Sequence, residues 1–164
     1  MSTIIRLAIP SDLPAVQKLH LGAFKEIGES QQTFNDHLQR SDTELIIEKE
    51  LLNVQSDSEE GALLGYALIK ILKDEIEIGW LGVIHDKRRC GIGSRLIQKI
   101  INRFQGNGKI RALCFSRNRY KSAMRLYLKH EFNITGTFKG MDGDLMIKFE
   151  RQLNSDSDYN SDLL

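Results

Sequence analysis

Apolar residues recur along this chain with two different periods, and the changes of period mark its elements. Ile5, Leu7 and Ile9 alternate within a run from Thr3 that Pro10 closes, which predicts a first strand. Val16, Leu19, Ala23 and Ile27 follow at helical spacing up to Gly28; Ser11 or Asp12 is placed to cap that helix, and Pro14 suits its first turn. Ser30 to Ser41 is polar with Phe34 and Leu38 at helical spacing, the pattern of a short second helix. Leu45 to Val54 and Ala62 to Leu72 are rich in β-formers and flank the polar segment Gln55 to Gly61, which predicts a hairpin. Glu75 to Val83, after Lys73-Asp74, extends the hairpin to a meander.

Beyond Gly91 the period lengthens. Leu96, Ile97, Ile100, Ile101 and Phe104 mark one helix face that ends near Gly106. Ile110 to Phe115 reads as a short buried strand, and a helix from about Arg119 to His130 carries Ala123, Leu126 and Tyr127 on one side. Ile134 to Phe138 and Asp144 to Phe149 close the chain as a pair of strands around Gly140 to Gly143. The predicted order is β-α-α-β-β-β-α-β-α-β-β, an α/β chain with a mixed sheet and helices on its faces.

Composition narrows the function classes. With 164 residues, one hydrophobic core and one domain over residues 1–153 are expected; residues 154–164, a polar run with Asp156, Asp158 and Asp162, are expected to be a disordered tail. Lys plus Arg number 23 against 22 for Asp plus Glu, so no overall basic field favours nucleic acid. No stretch reaches the roughly 20 apolar residues that span a bilayer, and Met1 to Ile9 lacks the apolar core of a leader, so a cytoplasmic protein without a membrane partner is expected. Cys90 and Cys114 lack the spacing of a zinc site and His20, His37, His85 and His130 are scattered, so no metal is expected.

The chemistry concentrates in Trp80-Leu81-Gly82-Val83-Ile84-His85-Asp86-Lys87-Arg88-Arg89-Cys90-Gly91-Ile92-Gly93-Ser94-Arg95, where a strand runs through a basic turn into a helix. A helix start presents N–H groups backed by the positive end of the helix dipole, and glycines let a pyrophosphate approach the backbone. A P-loop requires Lys-Ser or Lys-Thr after its second glycine, where this chain has Ser94-Arg95, and a dinucleotide fingerprint requires a small residue where Leu96 stands.

Arg88-Arg89-Cys90-Gly91-Ile92-Gly93 resembles the Arg/Gln-x-x-Gly-x-Gly/Ala signature of the GNAT superfamily of N-acetyltransferases, at the strand-to-helix junction where that family carries it. Asn118 to Phe132, with Ala123-Met124-Arg125-Leu126-Tyr127, is similar to the family's second stretch, an Asn ahead of a helix containing Ala-x-x-Leu-Tyr. Glu131 departs from the pattern, which has Gly before Phe, so a different helix terminus is expected.

The resemblance implies the GNAT, or acyl-CoA N-acyltransferase, fold and acetyl-CoA as cosubstrate. It implies coenzyme binding by Leu81, Val83, Arg88, Arg89, Cys90, Gly91, Ile92, Gly93 and Ser94, with Asn118 on the pantetheine arm. The implied reaction is direct attack of a primary amine of a small molecule, peptide or protein on the thioester in a ternary complex. Such chemistry needs an uncharged amine, a stabilised oxyanion and an expelled thiolate. The Val83 N–H is implied to polarise the carbonyl, Tyr127 to protonate the sulfur, and Glu77 or ordered water to serve as base. Period two places Glu77 on the strand face of Val83, and Glu75 lies further along that face. Cys90 is a candidate redox-sensitive thiol, and Trp80 and Phe24 are candidates for the amine pocket or for core. A coenzyme-A-binding module without turnover is the alternative, and homodimerisation, common in the family, is left open by the sequence.

Overall fold

A computed structural model describes residues 2–24, 30–51, 61–106, 108–140 and 143–153, apart from the side chain of Arg119. The strands are β1 (Thr3–Leu7), β2 (Thr43–Glu50), β3 (Leu63–Ile71), β4 (Glu75–Val83), β5 (Lys109–Phe115), β6 (Asn133–Lys139) and β7 (Leu145–Gln152). The helices are α1 (Leu13–Phe24), α2 (Gln31–Leu38), α3 (Ile92–Arg103) and α4 (Lys121–Lys129). Their order is the one the periodicity predicts. Among the described residues the strands pair in the order β1-β2-β3-β4-β5-β7-β6, a seven-stranded sheet with β4 and β5 parallel and the registers of β1–β2, β2–β3, β5–β7 and β6–β7 antiparallel. Gln55 to Glu60 of the polar connection expected between β2 and β3, the expected tail from residue 154, and Ile27 and Gly28 lie outside the described residues.

The described residues form two compact units, one within Met1–Lys70 and Trp80–Leu96, the other within Ile71–Gly79 and Ile97–Leu164. In the first, Val16, Phe34, Leu45, Ile47, Tyr66 and Leu68 form the buried cluster, with Leu13, Leu19, Phe24 and Trp80 packed against it. Trp80 and Phe24 stack edge to face at 4.7 Å, so both rings serve this core. Asp12 does not open α1 as a cap; it ends a short 3-10 turn and its carboxylate accepts the Ile9 N–H (2.9 Å) and an Arg6 N–H (2.6 Å), tying the turn to β1. Ser30 caps α2, its hydroxyl accepting the Thr33 N–H at 3.1 Å.

In the second unit β5 buries every other residue, Ile110, Ala112 and Cys114. Its other face carries Lys109 and Arg111, in register with Glu75 and Glu77 of β4 and with Gln152 and Glu150 of β7. Among the described residues no helix is long and apolar enough to cross a membrane.

Candidate functional site

The loop after β4 is built by a succession of tight local bonds. His85–Lys87 forms a 3-10 turn, closed by Lys87 N–H to Ile84 C=O (3.2 Å) and Arg88 N–H to His85 C=O (3.2 Å). Arg88 is extended, and its Nε donates to the Val83 carbonyl at 3.3 Å. Arg89 then enters the left-handed region at φ 63°, and Gly91 does so at φ 83°. A left-handed L-residue costs about 1–2 kcal/mol and glycine avoids that cost, so this turn needs its glycine at position 91 and holds Arg89 under strain. α3 begins at once: Arg95 N–H bonds to Gly91 C=O at 3.0 Å, and the amides of Ile92 and Gly93 lie ahead of that first i−4 bond. Arg88, Arg89 and Cys90 are exposed, and Ile92 is buried beneath the turn. The result is a basic, amide-lined opening of a helix, suited to an anion.

Gly65 and Gly82 let this junction seat closely. A Cβ on Gly65 would lie 2.9 Å from Ile92 Cγ2 and 3.2 Å from Leu96 Cδ1, and one on Gly82 would lie 2.5 Å from the Tyr66 ring. Tyr66 is fully buried, and its hydroxyl shares a 2.5 Å hydrogen bond with His20 Nδ1. His20 stacks on Phe34 at 4.0 Å, and Trp80 meets it edge-on at 5.0 Å. Burial pushes the His20 imidazole down to about 4, with a smaller contribution from His37.

One contact of this site had no signal in the sequence. Glu48 follows the apolar run Leu45-Ile46-Ile47 as the first of three charged residues, Glu48-Lys49-Glu50, yet it is completely buried. A buried carboxylate requires a partner, and Arg95 supplies it: Nε and Nη2 donate to Glu48 Oε1 at 2.8 and 2.6 Å. Arg95 Nη1 also donates to the Cys90 carbonyl at 3.2 Å.

The remaining candidates lie in the second unit, apart from Leu81 and Val83. Tyr127, on α4, is buried between Phe132 (5.4 Å) and Phe149 (5.3 Å). Burial, with the neighbouring Cys114, holds its phenol well above the usual tyrosine range, and burial pushes the Cys114 thiol up to about 11. Glu77 is buried, and its Oε2 accepts Arg111 Nη2 at 2.5 Å and Nε at 3.1 Å. Glu75 pairs with Arg111 at 2.8 Å, so Glu77 sits in a ladder of charges across β4 and β5. Asn118 is exposed at the head of a 3-10 turn that leads into α4. Leu81 and Val83 are partly buried on β4, in the first unit with Arg88 to Ser94. Among the described residues no cluster of His, Cys, Asp or Glu could hold a metal ion.

The end of α4 keeps the geometry that glycine ordinarily supplies. Glu131 takes φ 61°, its N–H bonds to Leu128 C=O (3.1 Å) and the Phe132 N–H to Tyr127 C=O (3.1 Å). These are the two bonds of a Schellman motif, with Phe132 packed on Tyr127 as its apolar contact. The terminus expected to differ is therefore preserved, at the cost of a strained glutamate.

The sequence profile described as the acetyltransferase (GNAT) family matches residues 14–132. The chain belongs to this family. Its fold is that of solved GNAT enzymes. Arabidopsis thaliana NAA60, in complex with a bisubstrate analogue, is 20% identical with a TM-score of 0.78, the match covering 94% of this chain and 99% of that one. The ribosomal-protein-S18-alanine N-acetyltransferase of Escherichia coli is also 20% identical, with a TM-score of 0.74 and coverage of 93% and 95%. A GNAT superfamily phosphinothricin acetyltransferase from Sinorhizobium meliloti, in complex with AcCoA, is 16% identical with a TM-score of 0.72 and coverage of 96% and 92%. No curated protein matches the sequence. The family places this GNAT chain among the acyltransferases.

Proposed function

We propose that this GNAT chain transfers an acetyl group from acetyl-CoA to a primary amine of a small molecule, peptide or protein, by direct attack within a ternary complex. The observation that carries the proposal is the turn from Arg88 to Ser94, with left-handed Arg89 and Gly91 opening straight into α3 under exposed arginines. Amides at a helix start favour a doubly charged pyrophosphate through both hydrogen bonding and the helix dipole. Solved relatives of the same fold carry acetyl-CoA, which supports the choice of cosubstrate.

On this reading Arg88 to Ser94 hold the pyrophosphate, Leu81 and Val83 take the pantetheine through their backbone, Asn118 meets the arm, and the Val83 N–H polarises the thioester carbonyl. Tyr127 supplies a hydrogen bond to the departing sulfur. Its raised phenol stays protonated throughout the working range, and the proton it gives to the thiolate is replaced by the one the amine loses on acylation. Glu77, oriented by Arg111, takes the ammonium proton directly or through water before attack.

Calorimetric titration with acetyl-CoA, followed by thiol release against a panel of amines on the same sample, tests the proposal. Micromolar binding with thiol release on an amine is expected. Binding without turnover on any amine favours a coenzyme-binding module, and absence of binding refutes the assignment of the loop.

A further inference from the structure

We propose that Arg95, anchored by the buried carboxylate of Glu48, is a positioning residue that sets the direction of the Gly91 N–H for the coenzyme pyrophosphate. The inference rests on the reading of Arg88 to Ser94 as the pyrophosphate loop. It starts from the chemistry of one peptide unit. The Cys90 carbonyl and the Gly91 N–H belong to the same planar trans peptide, so they point in opposite directions. Whatever holds the carbonyl inward turns the N–H outward.

This peptide is the one in the loop most in need of a clamp. A flip of the Cys90–Gly91 peptide changes ψ at Cys90 and φ at Gly91, and glycine tolerates either sign of φ, so no Cβ opposes the flip. Arg95 Nη1 donates to the Cys90 carbonyl at 3.2 Å, and a Cβ on Gly91 would lie 3.0 Å from that same nitrogen. The guanidinium is thus laid against the turn and bonded to its carbonyl.

Glu48 makes the guanidinium a fixed object. Two N–H donors of Arg95 converge on Glu48 Oε1 at 2.8 and 2.6 Å, and the carboxylate is completely buried on β2 at a bulge between Glu48 and Lys49. Its cross-strand neighbour is Gly65, whose missing side chain admits Ile92 and Leu96 of the first turns of α3. The helix start therefore seats over β3 beside Glu48, which brings Arg95 within reach. Among the described residues the buried Glu48 Oε2 has no hydrogen-bond partner, a desolvation cost retained beside the Oε1 clamp. The pair carries no net charge, so its effect on an anion comes through geometry and not through added positive field.

That distinction makes the test decisive. Arg95→Lys keeps the charge but cannot hold two bonds to Glu48 and one to Cys90 in the planar fork. Glu48→Leu releases the guanidinium and leaves its charge uncompensated. Loss of one charge-assisted hydrogen bond corresponds to about tenfold in affinity, so both variants are expected to bind acetyl-CoA about tenfold more weakly by calorimetry. With S-acetylpantetheine as donor, which lacks the pyrophosphate, kcat/KM is expected to be unchanged in both, a split that general loosening of the fold would not produce.

Unchanged affinity in Arg95→Lys, tighter binding in Glu48→Leu, or equal losses with both donors would overturn the proposal. Should Glu48→Leu fail to fold, Arg95→Lys and the wild-type protein carry the test: in wild type the Gly91 amide resonance is expected to shift downfield on adding coenzyme A. A Gly91 amide that does not respond while coenzyme A binds refutes the positioning. A wild type that does not bind acetyl-CoA at all refutes instead the reading of the loop on which this inference rests.

Discussion

His20 should make this protein lose stability as the pH falls from neutral to mildly acid. The imidazole is completely buried, stacked on Phe34 at 4.0 Å and hydrogen-bonded to Tyr66, and it titrates at about 4 in the fold. In the unfolded chain it titrates near the ordinary value of about 6.5. The folded state therefore binds fewer protons than the unfolded state below neutrality, and the contribution is present above about pH 6.5 and lost as pH falls towards 4. Linkage gives a loss of about 1.8 kcal/mol between pH 7 and pH 5, approaching about 3 kcal/mol below pH 4. Trp80, the single tryptophan, meets His20 edge-on at 5.0 Å and so reports on this cluster by its fluorescence. Urea denaturation followed at Trp80 at pH 7, 6 and 5 should show the loss in wild type. His20→Gln, which retains hydrogen-bonding capacity towards Tyr66 but does not titrate, should be less stable at pH 7 and should lose about 1.8 kcal/mol less on acidification. Equal pH dependence in the two proteins would refute the argument.

Other predictions concern the reaction and the turns around it. Tyr127→Phe should lower kcat about a hundredfold with acetyl-CoA affinity unchanged; full activity in stopped thiol-release assays dismisses Tyr127 as the acid. Glu77→Gln should lower kcat/KM and remove its acid limb, and an unshifted pH profile takes Glu77 out of the mechanism. Gly82→Ala places a Cβ 2.5 Å from the Tyr66 ring, which should cost about 1–3 kcal/mol by overpacking in a thermal melt; a neutral outcome would mean the ring moves freely. Glu131→Gly relieves a left-handed glutamate at about 1–2 kcal/mol, offset by about 0.5–1 kcal/mol of glycine chain entropy. Its ion pair with Arg151 at 2.9 Å is mostly solvated at the glutamate and worth little. The variant should therefore melt slightly higher, and a clear drop in Tm would contradict the strain.

What the sequence determined by itself was whatever depends on neighbours along the chain. Hydrophobic period, turn residues and the spacing of Arg88, Gly91 and Gly93 are local, so the order of the elements and the glycine turn that opens α3 were legible in the residues alone. The departure at Glu131 was legible too, although its consequence was not. Only φ 61° and the two terminal hydrogen bonds show that the helix end kept its form and took up strain. The ends of elements shifted by a residue or more for the same reason, as with β7, which runs on to Gln152 because β5 pairs with it that far.

Tertiary structure alone decided the pairings between distant residues. Period two could assign Glu77 to a strand face, but not place Arg111 across from it, because strand register is set by the whole sheet. Glu48 opens the charged stretch Glu48-Lys49-Glu50 and looks like a solvated strand end, yet it is buried and its partner lies 47 positions away on α3. His20 looks like any helix histidine until Phe34, Tyr66 and Trp80 enclose it and change its protonation. Charges and rings act on one another through space, and which of them meet is settled only when the strands and helices between them have packed.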